Sequence, residues 1–389
     1  MSYSCLQALY HSLSLVNRHI TLYSCISVVK YSCYPEKKSM AGSGSIACMH
    51  RTMDILTLGG PSMVSVINIQ DISMIYKAPV REAGLRAALG SLVHRKYREI
   101  QAVRDISFEL EAGEVVGFIG PNGAGKTTTM KILSGILHPT GGTVNVLGFT
   151  PWHRETSFLK NIAFIRGSQP IGGPNELTVL DSLRFQQLIY EISETAFHKG
   201  LALLVEMLKL EPLLKRQIRA LSLGERMRCG LALALIYQPR ILFLDEPTLG
   251  LDVTAVSMIR RFITDYSQQT KATILLTSHY MADVEELCKR VVLIDHGTLR
   301  YDGGLEGLST SFSTSRILTV TIAEKVTPKW NMYGEVIEAE PGKATLCVQR
   351  EQVATVSARL LSELPVVDLA IGGIPLEQVI DQIYQEGRI

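Results

Sequence analysis

Gly120-Pro121-Asn122-Gly123-Ala124-Gly125-Lys126-Thr127-Thr128 is the stretch from which the rest of the chain is read. It fits Gly-x-x-x-x-Gly-Lys-Thr, the pattern of a phosphate-binding loop. Glycines let successive backbone N–H groups turn toward one anion with no Cβ in the way. A helix starting at the end of the loop adds its positive dipole end. Lys126 reaches the β- and γ-phosphates of a nucleotide, and the Thr127 hydroxyl is placed to ligate Mg²⁺. The flanks agree. Residues 114–119 (EVVGFI) read as a short buried strand, and 128–137 have helical spacing. All nine loop residues are candidate nucleotide-binding positions.

The chain has 389 residues, enough for two or three domains. Net charge is +2 and the pI is near 8.1, so no bulk electrostatic argument points to nucleic acid, and none is expected as a partner. Hydrophobic residues make up 46%, ample for a buried core. No apolar run approaches the roughly 20 residues of a membrane-spanning helix. The best stretch, 20–29, is interrupted by Ser24, Cys25 and Ser27. A soluble or peripheral protein is expected. Seven cysteines show no paired zinc-type spacing and no disulfide framework, so they read as small hydrophobes in a reducing compartment.

Residues 1–62 are rich in Ser, Tyr, Cys and Met and hold only two acids, Glu36 and Asp54. Three origins fit: a stretch ahead of a true start at Met63, a transit peptide, or a disordered tail. The abrupt onset of patterning at Val64 favours the first. From there, 64–69 and 72–76 alternate like strands, and 79–97 read as a basic amphipathic helix, either a solvated face or a contact surface for a membrane or partner. Residues 102–110 read as strand. Most of 176–220 reads as helix, with Leu201, Leu204, Val205 and Leu208 on one face. The runs 162–165, 241–244, 272–276 and 291–294 suit buried parallel strands. Strands alternating with helices predict an α/β domain. A Ser/Thr-rich stretch over 306–315 reads as a linker. Beyond it, three strands (317–322, 334–339, 344–348) and two helices (350–363, 375–386) predict a small α+β domain over 316–389.

The run Ile241-Leu-Phe-Leu-Asp245-Glu246 ends a hydrophobic strand in two carboxylates. Such a strand delivers Asp245 to the Mg²⁺ shell, usually through water, and puts Glu246 where it polarises an attacking water. Between the two motifs stands Leu221-Ser222-Leu223-Gly224-Glu225. Here the chain resembles the ATP-binding cassette (ABC) family, whose signature reads LSGGQ. Leu223 replaces the first Gly and Glu225 replaces Gln. Ser222 and Gly224 are the groups that approach phosphate in the family, on the nucleotide of an opposing subunit. Pro247-Thr-Leu-Gly250-Leu-Asp252 resembles the loop that crosses the family's dimer interface, and Thr277-Ser278-His279 resembles its switch-histidine motif. His279 is then expected to contact the γ-phosphate and hold Glu246 and water in line. Tyr97, 29 residues before Lys126, resembles the adenine-stacking aromatic, with Tyr76 as its competitor. Gln169 is the candidate for the glutamine that meets Mg²⁺, one or two residues late, and the register alternatively places Ser168 there.

The resemblance covers about 64–305, and it implies a P-loop cassette of mainly parallel sheet with a helical subdomain over about 175–235. The tail resembles the accessory domain of ATPase subunits from drug and polysaccharide exporters. ATP and Mg²⁺ are implied as cofactors. The implied partners are a multi-span membrane permease and a second ATP-binding subunit, for which a homodimer would suffice. The implied location is peripheral, on the cytoplasmic face of the inner (plasma) membrane. A soluble ABC ATPase acting on ribosomes, DNA or iron–sulfur assembly is the alternative; the sequence shows neither the second cassette usual in translation-type relatives nor the long coiled-coil insertion of repair-type ones. An unrelated phosphate-loop kinase leaves Ser222, Gly224 and His279 unexplained.

Overall fold

The computed structural model describes residues 65–79, 97–171, 174–312, 315–323 and 328–386. The segment 1–62 and the basic stretch read as a helix between Pro79 and Tyr97 lie outside these residues.

A six-stranded sheet carries the centre of the molecule. Its strands are β3 (Val115–Ile119), β5 (Ile162–Arg166), β6 (Ile241–Asp245), β7 (Thr273–Thr277), β8 (Arg290–Asp295) and β9 (Thr298–Gly304), in the order β5-β6-β7-β3-β8-β9. All pairings are parallel except β8–β9. Every residue of β6 and β7 is buried, as continuous apolar strands require when both faces are covered. Alternation then sorts the side chains. Leu242 and Leu244 join the core shared with the helical subdomain. Ile241 and Phe243 join the core beneath a second, antiparallel sheet. That second sheet is β2-β1-β4, formed by β1 (Ser65–Pro79), β2 (Tyr97–Glu111) and β4 (Gly141–Val146).

The two short strands expected at 64–69 and 72–76 are one strand, β1. It is broken in register between Ile69 and Ile72, where Asp71 takes φ 50°. The bulge re-phases the alternation, so one strand looks like two in the sequence. Helix α1 (Lys126–Leu133) follows the phosphate loop, and the one-turn helix α2 (Thr156–Leu159) precedes β5. Helices α3 (Val179–Ile189), α4 (Glu194–Leu208) and α5 (Leu223–Leu235) make up the helical subdomain, each started by a side-chain cap from Thr178, Ser193 or Ser222. Helices α6 (Val253–Thr270) and α7 (Met281–Leu287) complete the crossovers to β7 and β8.

The stretch expected as a linker is instead mostly helix α7's successor, α8 (Leu305–Phe312). Leu308 is fully buried, and Leu305 packs beside it on the same core. Burial at this spacing outweighs the weak helix propensity of the serines and threonines. The C-terminal sheet has the order β11-β12-β10-β13, from β10 (Ser315–Ile322), β11 (Glu335–Glu340), β12 (Lys343–Gln349) and β13 (Val366–Gly372), all antiparallel. Helix α9 (Val353–Glu363) seats Val356 and Leu360 in the core of that sheet. The last helix, α10 (Leu376–Glu386), turns back. Its Leu376, Val379, Ile380 and Ile383 join Leu308 in the cassette's own core. No helix among the described residues is long and apolar enough to cross a membrane.

Candidate nucleotide site

The phosphate loop runs from the end of β3 into α1, and its glycines are sterically required. A Cβ on Gly120 would lie 2.4 Å from the Ile294 carbonyl oxygen, and one on Gly125 2.5 Å from that of Ala102. Gly123 and Gly125 also take φ 83° and 104°, where only glycine is unstrained. Strand β2 at Ala102 and strand β8 at Ile294 therefore wall the loop. The Lys126 ammonium lies across the loop, donating to the carbonyls of Gly120 and Pro121. Burial holds its pKa below the usual lysine value, against the opposing pull of Glu246 and Asp245.

The two carboxylates occupy different environments one residue apart. Asp245 is buried, and both its oxygens accept from the Thr127 hydroxyl at 3.1 Å. Thr277 Oγ1 donates to Asp245 Oδ1 at 2.9 Å and accepts from the Glu246 N–H at 3.0 Å. Glu246 sits at φ 56°, a left-handed conformation that swings its side chain out of the strand. Its Oε1 lies 2.7 Å from His279 Nε2. Two residues 33 apart in sequence thus meet at the ends of adjacent strands. The hydroxyl of Thr127 and the carboxylate of Asp245 form a pair of hard oxygen donors beside the loop. That donor set suits Mg²⁺.

A buried network lies behind this cluster, and the sequence reading missed it. Asp283, 1% exposed, accepts from Thr248 Oγ1 and Ser278 Oγ, and it pairs with Arg260. It ties the loop after Glu246 to the loop that carries His279. The spacing Ser278 to Asp283 was the available signal, but it looks like any acid in the first turn of a helix. Thr277, in sequence only the first residue of the switch-histidine motif, bridges the Asp245 carboxylate and the Glu246 backbone N–H.

Ser222 caps α5 reciprocally. Its hydroxyl accepts from the Glu225 N–H at 3.3 Å, and Glu225 Oε2 accepts from the Ser222 N–H at 2.8 Å. Arg216 adds a bond to Glu225 at 2.7 Å. The Ser222 backbone, then Arg216, hold the Glu225 carboxyl below the usual carboxylate range. The glutamate in place of the family's glutamine is thus an ionised capping residue. Leu223, the other departure, is partly exposed and reaches toward Gly250. Gly224 abuts Ala255, where a Cβ would come within 3.2 Å of that residue's own. Asp252 caps α6 by accepting from the Ala255 N–H. Among the described residues no hydrogen bond or ion pair joins Ser222, Gly224 or Asp252 to the phosphate loop of the same chain.

Two candidates are placed differently from the rest. Tyr97 is 54% exposed and pairs with Pro79 at the connected end of the β1–β2 hairpin. Five residues separate it from Ala102 at the loop wall, ~16 Å along an extended strand. Tyr76 pairs with Ile100, two residues from Ala102, and packs on the core beneath the loop. The register therefore sets Tyr76 nearer the nucleotide loop than Tyr97. Gln169 is exposed in the turn after β5, its N–H donating back to the Arg166 carbonyl, and Ser168 is exposed beside it. The residue of this loop opposite Asp245 in the sheet is Arg166.

Of the three cysteines among the described residues, Cys229 and Cys288 are buried, and Cys347 is half-buried; none is in a disulfide. Burial pushes the Cys229 thiol up to about 12, which keeps it a neutral small hydrophobe.

The family profile described as "ABC transporter" matches residues 103–249, and one described as "EvrA-like ABC transporter, C-terminal domain" matches 314–372. The chain is 34% identical to the ABC transporter ATP-binding protein NatA of Bacillus subtilis, over 56% of this chain and 87% of that protein. It is 33% identical to the Nod factor export ATP-binding protein I of Burkholderia lata, over 56% of this chain and 71% of that protein. A solved structure described as the ATP binding subunit of an ABC transporter superposes with a TM-score of 0.53 at 26% identity, covering 64% of this chain and 93% of that one. With its phosphate loop, carboxylate pair and accessory sheet in place, the chain belongs to the ATP-binding subunits of ABC transporters, a family of ATPases.

Proposed function

We propose that this ATPase is the motor of a membrane exporter, driving a separate multi-span permease as an ATP-sandwiched dimer. The observation that carries the catalytic part is the contact of Glu246 with His279 beside Asp245 and Thr127. In this reading Glu246 is the general base that takes a proton from the attacking water. His279 orients Glu246 and reaches toward the γ-phosphate. Lys126 and the loop N–H groups from Gly120 to Thr128 hold the phosphates, and Tyr76 is favoured over Tyr97 as the adenine platform. Mg²⁺, held by Thr127 and through water by Asp245, supplies charge neutralisation to the phosphates when bound.

Ser222 and Gly224 serve the nucleotide of the opposing subunit, at the positive end of α5. Support for a two-chain site is that they make no bond to their own chain's loop while Leu223 stays partly exposed. Support for export is the similarity to the Nod factor export ATP-binding protein I. The protein then sits peripherally on the cytoplasmic face of the inner (plasma) membrane, held by its permease. A homodimer is proposed because one chain carries every motif.

The test is affinity purification of the tagged chain from gently solubilised cells, followed by mass spectrometry. A multi-span membrane protein in near-equal amount is expected. Ribosomal or assembly-factor partners, with the chain absent from membranes, would replace the exporter reading by a soluble ABC ATPase.

A further inference from the structure

Strand β5 ends one residue short of a tight clamp. The Gly167 N–H donates to the Asp245 carbonyl at 2.8 Å, and a Cβ on Gly167 would lie 1.8 Å from the Glu246 carbonyl oxygen. This clamp fixes Arg166 directly across from Asp245 in parallel register. Alternation puts both side chains on the same face of the sheet. In β5, Ile162 joins the core on the α1 side, as do Ile241 and Phe243 in β6, so Arg166 and Asp245 follow them toward α1.

The contact itself is unusual. Arg166 Nε lies 3.8 Å from Asp245 Oδ2, close enough for strong attraction but too long for a hydrogen bond. That Nε is buried and has no hydrogen-bond acceptor. A buried donor without a partner costs stability, and a structural ion pair would close the gap. Asp245 Oδ2 is instead already taken by the Thr127 hydroxyl. Arg166, its side chain 39% exposed, thus places a positive charge beside this carboxylate without a hydrogen bond of its own. The loop residues read from sequence as meeting the metal, Ser168 and Gln169, are exposed beyond it.

We infer that Arg166 is a positioning residue for the divalent-ion site, its charge against Asp245 setting how weakly or tightly a divalent cation is held there. The inference rests on the assignment of Thr127 and Asp245 to Mg²⁺ made above. A cation beside the carboxylate competes with a second cation for the same field. Removing it tightens divalent binding. Restoring charge on a different stem restores the original affinity.

The experiment is a Mg²⁺ titration of the full chain with a non-hydrolysable ATP analogue, followed by fluorescence or calorimetry. Arg166→Gln and Arg166→Met are expected to lower the half-saturating Mg²⁺ concentration by about three- to tenfold, the size of one unit charge removed from near a divalent ion. Arg166→Lys is expected to stay near wild type. Equal half-saturation in wild type, Arg166→Gln and Arg166→Met overturns the inference, as does a rise in either charge-removing variant. A wild-type chain that binds the analogue with no response to Mg²⁺ overturns the underlying metal assignment together with it. Melting temperatures of the variants, read alongside, separate a folding defect from a change in ion affinity.

Discussion

His279 Nε2 meets Glu246 Oε1 at 2.7 Å although the two sit on different strand ends, because Thr277 bonds both the strand before Glu246 and the Glu246 N–H. The general-base proposal stands on this contact. Glu246→Gln is expected to lower ATP hydrolysis by about 10²–10⁴-fold while leaving nucleotide binding intact. Phosphate release and equilibrium ATP binding check it. A wild-type rate in the variant would remove Glu246 from the base role.

Thr277→Val keeps shape and removes the hydroxyl that serves both carboxylate residues. It leaves the Glu246 N–H with one acceptor fewer and Asp245 with one donor fewer. Stability should fall by about 1–3 kcal/mol, the cost of unsatisfied buried polar groups. Thermal or urea unfolding reads the change, and an unaltered midpoint would show the bridge to be dispensable.

Gly167→Ala should be far more damaging than an exposed glycine change. Its methyl would overlap the Glu246 carbonyl oxygen, which is backbone and cannot swing aside. Displacing the β5–β6 end moves Glu246, so hydrolysis falls together with stability, by at least about 1–3 kcal/mol. Gly372→Ala, at an exposed position with open space around its Cβ and no positive φ, is the control.

The Ser222–Glu225 cap carries a pH dependence whose sign is fixed. Bonding to the Ser222 N–H and to Arg216 depresses the folded pKa of Glu225. Its contribution is therefore complete above the unfolded carboxylate pKa and is lost as pH falls through the lower, folded value. Melting wild type and Glu225→Gln from neutral pH down into the acid range should show the wild-type advantage shrinking at the acid end. A constant difference would mean that the charge on Glu225 is not what stabilises α5.

Ser222→Arg tests the two-chain site. A bulky cation at the N-terminus of α5 opposes its dipole and blocks the approach of a partner's nucleotide. ATP binding by the single chain should persist while the ATP-dependent dimer, measured by light scattering, disappears. A closed ATP dimer in this variant would sink the sandwich model.

Local sequence was enough for whatever depends on neighbours along the chain. The loop Gly120–Thr128, the strand ending in Asp245 and Glu246, and the start of α5 at Ser222 are local devices, each combining a periodic run with residues of fixed conformational preference. Their order along the chain was enough to name the family. The tertiary structure decided what depends on register between distant segments. Only strand pairing sets Tyr76, opposite Ile100, nearer Ala102 at the loop wall than Tyr97, since residue counting along the chain does not show the hairpin pairing. Only the parallel register of β5 with β6 brings Arg166, rather than Gln169, opposite Asp245. Only burial against α10 makes a helix of the serine-rich stretch around Leu308. In each case the deciding energy is a contact between residues far apart in sequence, and a pattern read along one segment does not contain it.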